Sequence, residues 1–223
     1  MVKLEKWIYP AKYKDKYGTV ETGIVNDGEE LSIIIRDVEF IGSDFDSFES
    51  KGGIPQDKLK DFTIDRNGWL VDFTLECDIP IKIGKDDQTF STILEMKLIL
   101  GSPTPKGGVD KEDLRLKLMF EYDIIESGGK SGWFEDELLD IEKQLPDGYF
   151  LKCCFGCLFS DYSVYGHGLF GSMMCFRDIK DEYIKVKTKS EFMDIMHKMT
   201  ENVQETFLCP EFKKRVPGTG YRG

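Results

Sequence analysis

The sequence predicts an α+β fold: an antiparallel, β-sandwich-like N-terminal part, residues 1–127, and a C-terminal part, residues 128–223, with two amphipathic helices and short strands around a cysteine-rich loop, the two sharing one core. Three observations predict it. Apolar and polar residues alternate with period two in residues 69–77 and 114–124. Residues that accept positive φ or preset a turn recur between such stretches. Beyond Ile125 the apolar spacing lengthens to three and four residues, as on a helix face.

The clearest strand sets Trp69, Val71, Phe73, Leu75 and Cys77 on one face and Asp72, Thr74, Glu76 and Asp78 on the other. Its twin sets Leu114, Leu116, Leu118, Phe120, Tyr122 and Ile124 against Arg115, Lys117, Glu121 and Asp123. Weaker strands are expected at residues 2–9, 19–25, 31–40 and 90–100. Ile79, Ile81 and Ile83 extend the first strand beyond Pro80, which places that stretch at an edge or a bend. Turns fall at Asp27-Gly28, Gly52-Gly53, Asn67-Gly68 and residues 102–108.

In the second half, Ser131 is positioned to cap a helix that buries Phe134, Leu138, Ile141 and Leu145, and Pro146-Asp147-Gly148 stops it. A short strand is expected near residues 183–186. A last helix follows, capped by Ser190, with Phe192, Ile195, Met196, Met199, Val203 and Phe207 as its buried stripe.

The chain has 30 basic and 41 acidic residues, a net charge of -11, which opposes unspecific binding to nucleic acid or anionic lipid. Residues 27–49 hold eight acidic residues and only Arg36, a face that could attract a basic partner. The tail instead carries Lys213, Lys214, Arg215 and Arg222 against Glu211. Its aromatic residues Phe212 and Tyr221 could pin it to the body and leave Arg222 to meet an acidic group. With no run as long as a membrane span and no secretory signal, the expected location is the cytoplasm, where six cysteines read as thiols or ligands rather than as a disulfide framework.

The chemistry concentrates in residues 149–177, and three readings of its cysteines stay open. Cys154, Cys157, Cys175 and Cys209 could hold zinc, with Gly156 easing the turn and His167 able to replace one cysteine. Alternatively, residues 149–159 form a buried strand in which cysteine acts as a small apolar residue, and Cys154 and Cys157 then face opposite ways. A redox pair, Cys154 with Cys157, is the third. The polar loop 160–168 supplies ligand-binding candidates in Asp161, Tyr162 and His167, joined by Arg177 and Arg222. No nucleophile elbow, metalloprotease pair, phosphate loop or dinucleotide fingerprint is present. Asp44 and Asp46 lack the third ligand and glycine of a calcium loop and read as a polar turn.

The string Cys-x-x-Cys-x-Phe-Ser-Asp-Tyr-Ser at 154–163, then Cys175-Phe176-Arg177, Tyr183, Val203-Gln204-Glu205-Thr206, Cys209 and Gly220-Tyr221-Arg222-Gly223, resembles a family of uncharacterised bacterial proteins, a domain of unknown function. The resemblance covers most of the chain and implies a bacterial, cytoplasmic protein without bringing an activity. The expected function is non-enzymatic binding of another protein, in its most concrete version an immunity-type protein neutralising a partner; membrane and nucleic acid are not expected partners. The alternative is a zinc- or thiol-dependent enzyme centred on the cysteine segment.

Overall fold

The computed structural model describes residues 6–28, 30–121, 123–166, 168–171 and 173–222. Strands β1 (Trp7–Asp15), β2 (Gly18–Asn26), β3 (Leu31–Ile35), β4 (Val38–Gly42) and β5 (Glu49–Ser50) form one antiparallel meander. The short strands β6 (Thr63–Ile64) and β7 (Leu70–Val71) pair with each other. A second meander follows with β8 (Phe73–Lys85), β9 (Gln88–Leu100), β10 (Glu112–Phe120) and β11 (Asp123–Glu126). The two meanders join where β1 meets β8, from Ala11 opposite Cys77 to Lys14 opposite Thr74. One sheet therefore runs in the order β11-β10-β9-β8-β1-β2-β3-β4-β5.

Alternation dictates what this sheet encloses. Phe73, Leu75, Cys77, Ile79, Ile81 and Ile83 of β8 are buried, and so are Leu94, Met96, Leu98 and Leu100 of β9 and Leu114, Leu116, Leu118 and Phe120 of β10. They pack in one cluster with Ile33, Ile35 and Phe40 of the first meander, so both arms of the sheet close on a common core. This is the sandwich-like α+β architecture. Helix α1 (Phe134–Gln144) completes it, burying Phe134, Leu138 and Ile141 in the same cluster. Strand β12 (Tyr149–Leu151) then pairs with the end of β8.

The remaining residues build a smaller unit. It comprises β13 (Ser160–Tyr162), β14 (Met173–Cys175), helices α2 (Lys180–Tyr183) and α3 (Lys189–Ile195), and β15 (Glu201–Val203), with β14 at the centre of a three-stranded sheet. Among the described residues no helix is long and apolar enough to cross a membrane.

Several sequence expectations are corrected. The stretch expected as one strand at residues 31–40 is a tight hairpin, because Arg36 and Asp37 take φ of 50° and 63° without glycine. Glu121, at φ 55°, likewise splits the 114–124 stretch into β10 and β11, leaving Ile124 54% exposed; Tyr122 lies outside the described residues. Asp72, at φ 62°, interrupts the 69–77 alternation, and Trp69 is 41% exposed. Pro80, by contrast, lies as expected within a continuous strand on a locally open edge: it sits in β8 opposite Ile93 of β9, in the gap where neither β1 nor β12 pairs on the other side. No ladder bond is lost there by a residue without an N–H.

The first expected strand begins at Trp7 and runs to Asp15, and residues 1–5 lie outside the description. Trp133, not Ser131, precedes α1; the Ser131 hydroxyl instead accepts the Trp133 N–H at 3.0 Å. Residues 183–186 are not a strand, since Tyr183 ends α2. The last helix is capped by Thr188 in a reciprocal box with Glu191, not by Ser190, and it stops at Ile195. Val203 and Phe207, expected on its stripe, lie in β15 and in the loop beyond.

Candidate functional site

Strand β12 ends at Leu151, and the chain then makes a single 3₁₀ turn at Cys154–Gly156, closed by the Cys157 N–H donating to Cys154 O at 3.0 Å. A Cβ at position 156 would lie 2.6 Å from Leu151 O, so the turn requires glycine. This overturns the reading of residues 149–159 as one buried strand. Cys154 and Cys157 bracket the turn and both are buried. The Ser160 hydroxyl fixes its far side, donating to Cys154 O and also lying 3.3 Å from Cys157 O.

The chain's later residues wrap this turn. Phe155 N–H donates to Glu205 O at 2.9 Å and Cys154 N–H to Phe207 O at 2.6 Å; after a loop through Cys209, Leu158 N–H donates to Lys213 O at 2.7 Å and Arg215 N–H to Gly156 O at 2.9 Å. Residues 205–215 therefore leave the turn at Cys154 and return at Cys157, with Cys209 on the loop between. Cys175 arrives from β14, directly opposite Ser160 in the β13–β14 ladder, and packs in one cluster with Cys154, Tyr162, Met173 and Val203.

All six cysteines are free, and only Cys209 is not fully buried. Burial pushes the Cys154 thiol well up, and the nearby Cys157, Cys175, Cys153 and Cys209 push it further. Cys175 is raised to about 11, again chiefly by burial, against the Arg177 backbone N–H and guanidinium. Arg177 Nη1 lies 3.7 Å from Cys175 Sγ and is paired with Glu201. Cys153 points into the main core instead. Among the described residues no group of three or more His, Cys, Asp or Glu side chains is arranged to hold a metal ion. His167 lies outside the described residues, and His197 is exposed on a 3₁₀ turn after α3.

Beside the thiols sits a hub of buried hydrogen bonds. Asp161, 1% exposed, accepts the Tyr162 N–H on Oδ1 at 2.9 Å, and the Tyr183 hydroxyl and the Arg222 N–H on Oδ2 at 2.9 and 3.1 Å. Its carboxyl is held above the usual range by burial, moderated by Tyr183, Arg215 and Arg222. The Arg222 guanidinium reaches Phe155 O and lies over the Phe155 and Tyr162 rings at 5.2 and 5.5 Å. Phe212 stacks on Phe150 and Tyr221 on Phe192, at 6.2 and 5.1 Å between centroids, so the aromatic residues do pin the tail. Lys214 sits 4.2 Å above Phe150.

Tyr162 donates to Glu205, a second buried carboxylate, at 3.2 Å; Glu205 also accepts the Gly171 N–H at 2.8 Å, and burial raises its pKa to about 7. Asp44 reaches the same region from the β4–β5 loop, its Oδ1 accepting the Phe45 and Phe170 N–H groups at 2.9 and 2.8 Å. The run of acids at residues 27–49 is thus not wholly a surface feature.

Of the residues singled out by sequence, the fold brings Cys154, Cys157, Cys175, Cys209, Asp161, Tyr162, Arg177 and Arg222 into one region. Ser160, Tyr183 and Glu205, singled out in the sequence only within the resemblance, and Arg215, one of the tail's basic residues, belong to it as well. Tyr183, Glu205 and Arg215 are common residue types whose partners are distant along the chain.

A family model described as a family of unknown function (DUF6304) matches residues 7–160. The match takes in the main sheet, α1 and the turn with Cys154 and Cys157, and stops before Cys175 and Cys209. No curated protein and no solved structure matches the chain.

Proposed function

We propose that this chain, which belongs to the DUF6304 family of unknown function, works by binding another protein rather than by turning over a substrate. The observation that supports this is a row of side chains on the outer face of the main sheet. Ile93 is paired with Pro80 in β8; one step beyond the Leu118–Leu94 pair it neighbours Met119, which is paired with Ile124 in β11. Ile93, Met119 and Ile124 are 38%, 50% and 54% exposed. Single exposed apolar residues are ordinary, but three of them, with half-buried Pro80 on the next strand, make a continuous stripe across four adjacent strands roughly 15 Å long at the usual strand spacing.

The stripe runs from a shallow groove of about 340 Å³, where Trp7 and Leu208 flank Pro80 and Ile93, to β11, the last strand of the sheet. Asp123 and Glu126 border that end, and the whole chain carries -11. A partner with an apolar strip flanked by basic residues is the complement. The immunity-type version makes the partner a toxin and supposes a bacterial, cytoplasmic setting.

The test is affinity capture from the native host with wild-type protein and with Met119→Asp/Ile124→Asp. A basic protein held by the wild type and released by the double variant supports the reading; equal capture by both, or turnover of a small molecule with no protein partner, overturns it. For the immunity version, co-expression should relieve the growth defect caused by the captured partner.

A further inference from the structure

We propose that Cys154, Cys157, Cys175 and Cys209 hold one zinc-class divalent cation that fastens residues 205–215 to the turn at 154–157.

The backbone arrangement carries this. A 3₁₀ turn presents Cys154 and Cys157 at its two ends, as a pair of ligands for one tetrahedral metal must be presented. Cys175 comes from a different element and is set beside them by the Ser160 pairing and by the shared packing with Cys154. Cys209 lies on the loop whose two stems are hydrogen-bonded to the turn, one at Cys154 and the other at Leu158 and Gly156. Cys157, Cys175 and Cys209 all lie near enough to Cys154 to act on its thiol, and Cys157 and Cys209 near enough to act on Cys175, although Cys157 packs in the adjoining apolar cluster; Cys77 and Cys153 belong to the main core.

The outer contacts suit a thiolate site. A Zn²⁺ bound by four thiolates carries a net charge of -2, and its four displaced protons go to solvent. Arg177 supplies a guanidinium and a backbone N–H toward Cys175, and Glu201 holds the guanidinium in place. Such donors are the usual second layer of a metal centre. Among the described residues these side chains are not grouped as metal ligands. Closing the site requires the sulfurs to approach to about 2.3 Å from the metal, and the half-buried Cys209 on its loop is the ligand with most room to move.

The test uses the full chain purified under reducing conditions. Metal content is measured per chain, and Co²⁺ is titrated into metal-stripped protein to read thiolate-to-cobalt charge transfer. The expected result is one metal per chain and a tetrahedral sulfur-ligand spectrum, both retained by Cys77→Ala and lost in Cys209→Ser and Cys175→Ser. Because a ligand variant could misfold, thiol-reactive mercurial is also added to the wild type, where one zinc should be released as four thiols react. Failure of the reduced wild type to hold zinc or to give the cobalt spectrum overturns the proposal, as does an unchanged metal content and spectrum in Cys209→Ser. Neither result bears on the outer-face stripe, so this proposal stands or falls apart from the binding function.

Discussion

The backbone N–H of Arg222 donates to Asp161 Oδ2 at 3.1 Å, on the same oxygen that accepts the Tyr183 hydroxyl. One buried carboxylate thereby joins β13, α2 and the tail. Its loss would leave the Tyr183 hydroxyl and the Arg222 N–H without this acceptor.

Asp161→Ala should therefore destabilise the protein by about 2–4 kcal/mol, the scale for breaking a buried hydrogen-bond network. Urea unfolding measures the loss. Limited trypsin digestion adds a local reading, because cleavage after Lys213, Lys214 and Arg215 should accelerate if the tail detaches. Unchanged stability with an unchanged digestion pattern would show that Asp161 does not anchor it.

Glu205 fixes the direction of a pH effect. Its folded pKa of about 7 lies above the ordinary 4.5, so the folded chain holds a proton that the unfolded chain releases between those values. This contribution to stability is fully present below pH 4.5 and is lost as pH rises through 7. Asp44 and Asp161, both raised chiefly by burial, add to the trend with the same sign. Glu205→Gln keeps the shape and an acceptor for the Gly171 N–H. It should flatten the fall in stability between pH 5 and 8 and stabilise the protein at pH 8 by up to about 3 kcal/mol. Chemical denaturation of both proteins across that range is the check, and parallel curves would refute the assignment.

Gly84 and Phe150 are cross-strand partners in β8 and β12, and a Cβ on Gly84 would stand 2.3 Å from the Phe150 ring. The ring covers the glycine, as aromatic residues do opposite glycines in sheets. It also carries the Phe212 stack and the Lys214 cation. Gly84→Ala should cost about 2–4 kcal/mol by displacing it. Added loss of tail protection in amide exchange would distinguish this mechanism from simple strain within β8.

Much of the main sheet was legible because strict alternation in residues 73–83 and 114–120 admits only a strand with one buried face. The turns at Arg36-Asp37 and Glu121 were not, since these residues take positive φ where no glycine advertises a turn. The helix expected after residue 190 stopped early because Thr188 and Glu191 start a single short segment and the apolar spacing beyond it serves β15. In the candidate site, the cysteines were conspicuous by rarity and spacing. Their neighbourhood was not, because the contacts that create it join residues 154–158 to residues 205–215, and a local pattern carries no trace of such pairs.

The seam between β1 and β8 bears on how the molecule assembles. Within each meander, consecutive strands pair as hairpins, whose contacts close short loops and form early. The Ala11–Cys77 ladder instead brings together segments far apart in the chain through only four residue pairs. Two independently nucleating hairpin arrays must find each other before either has a full core to bury itself in. Docking of these arrays, rather than formation of any single strand, is the step that should set the folding rate, and substitutions at Ala11 or Tyr13 should slow refolding more than those at the outer strands.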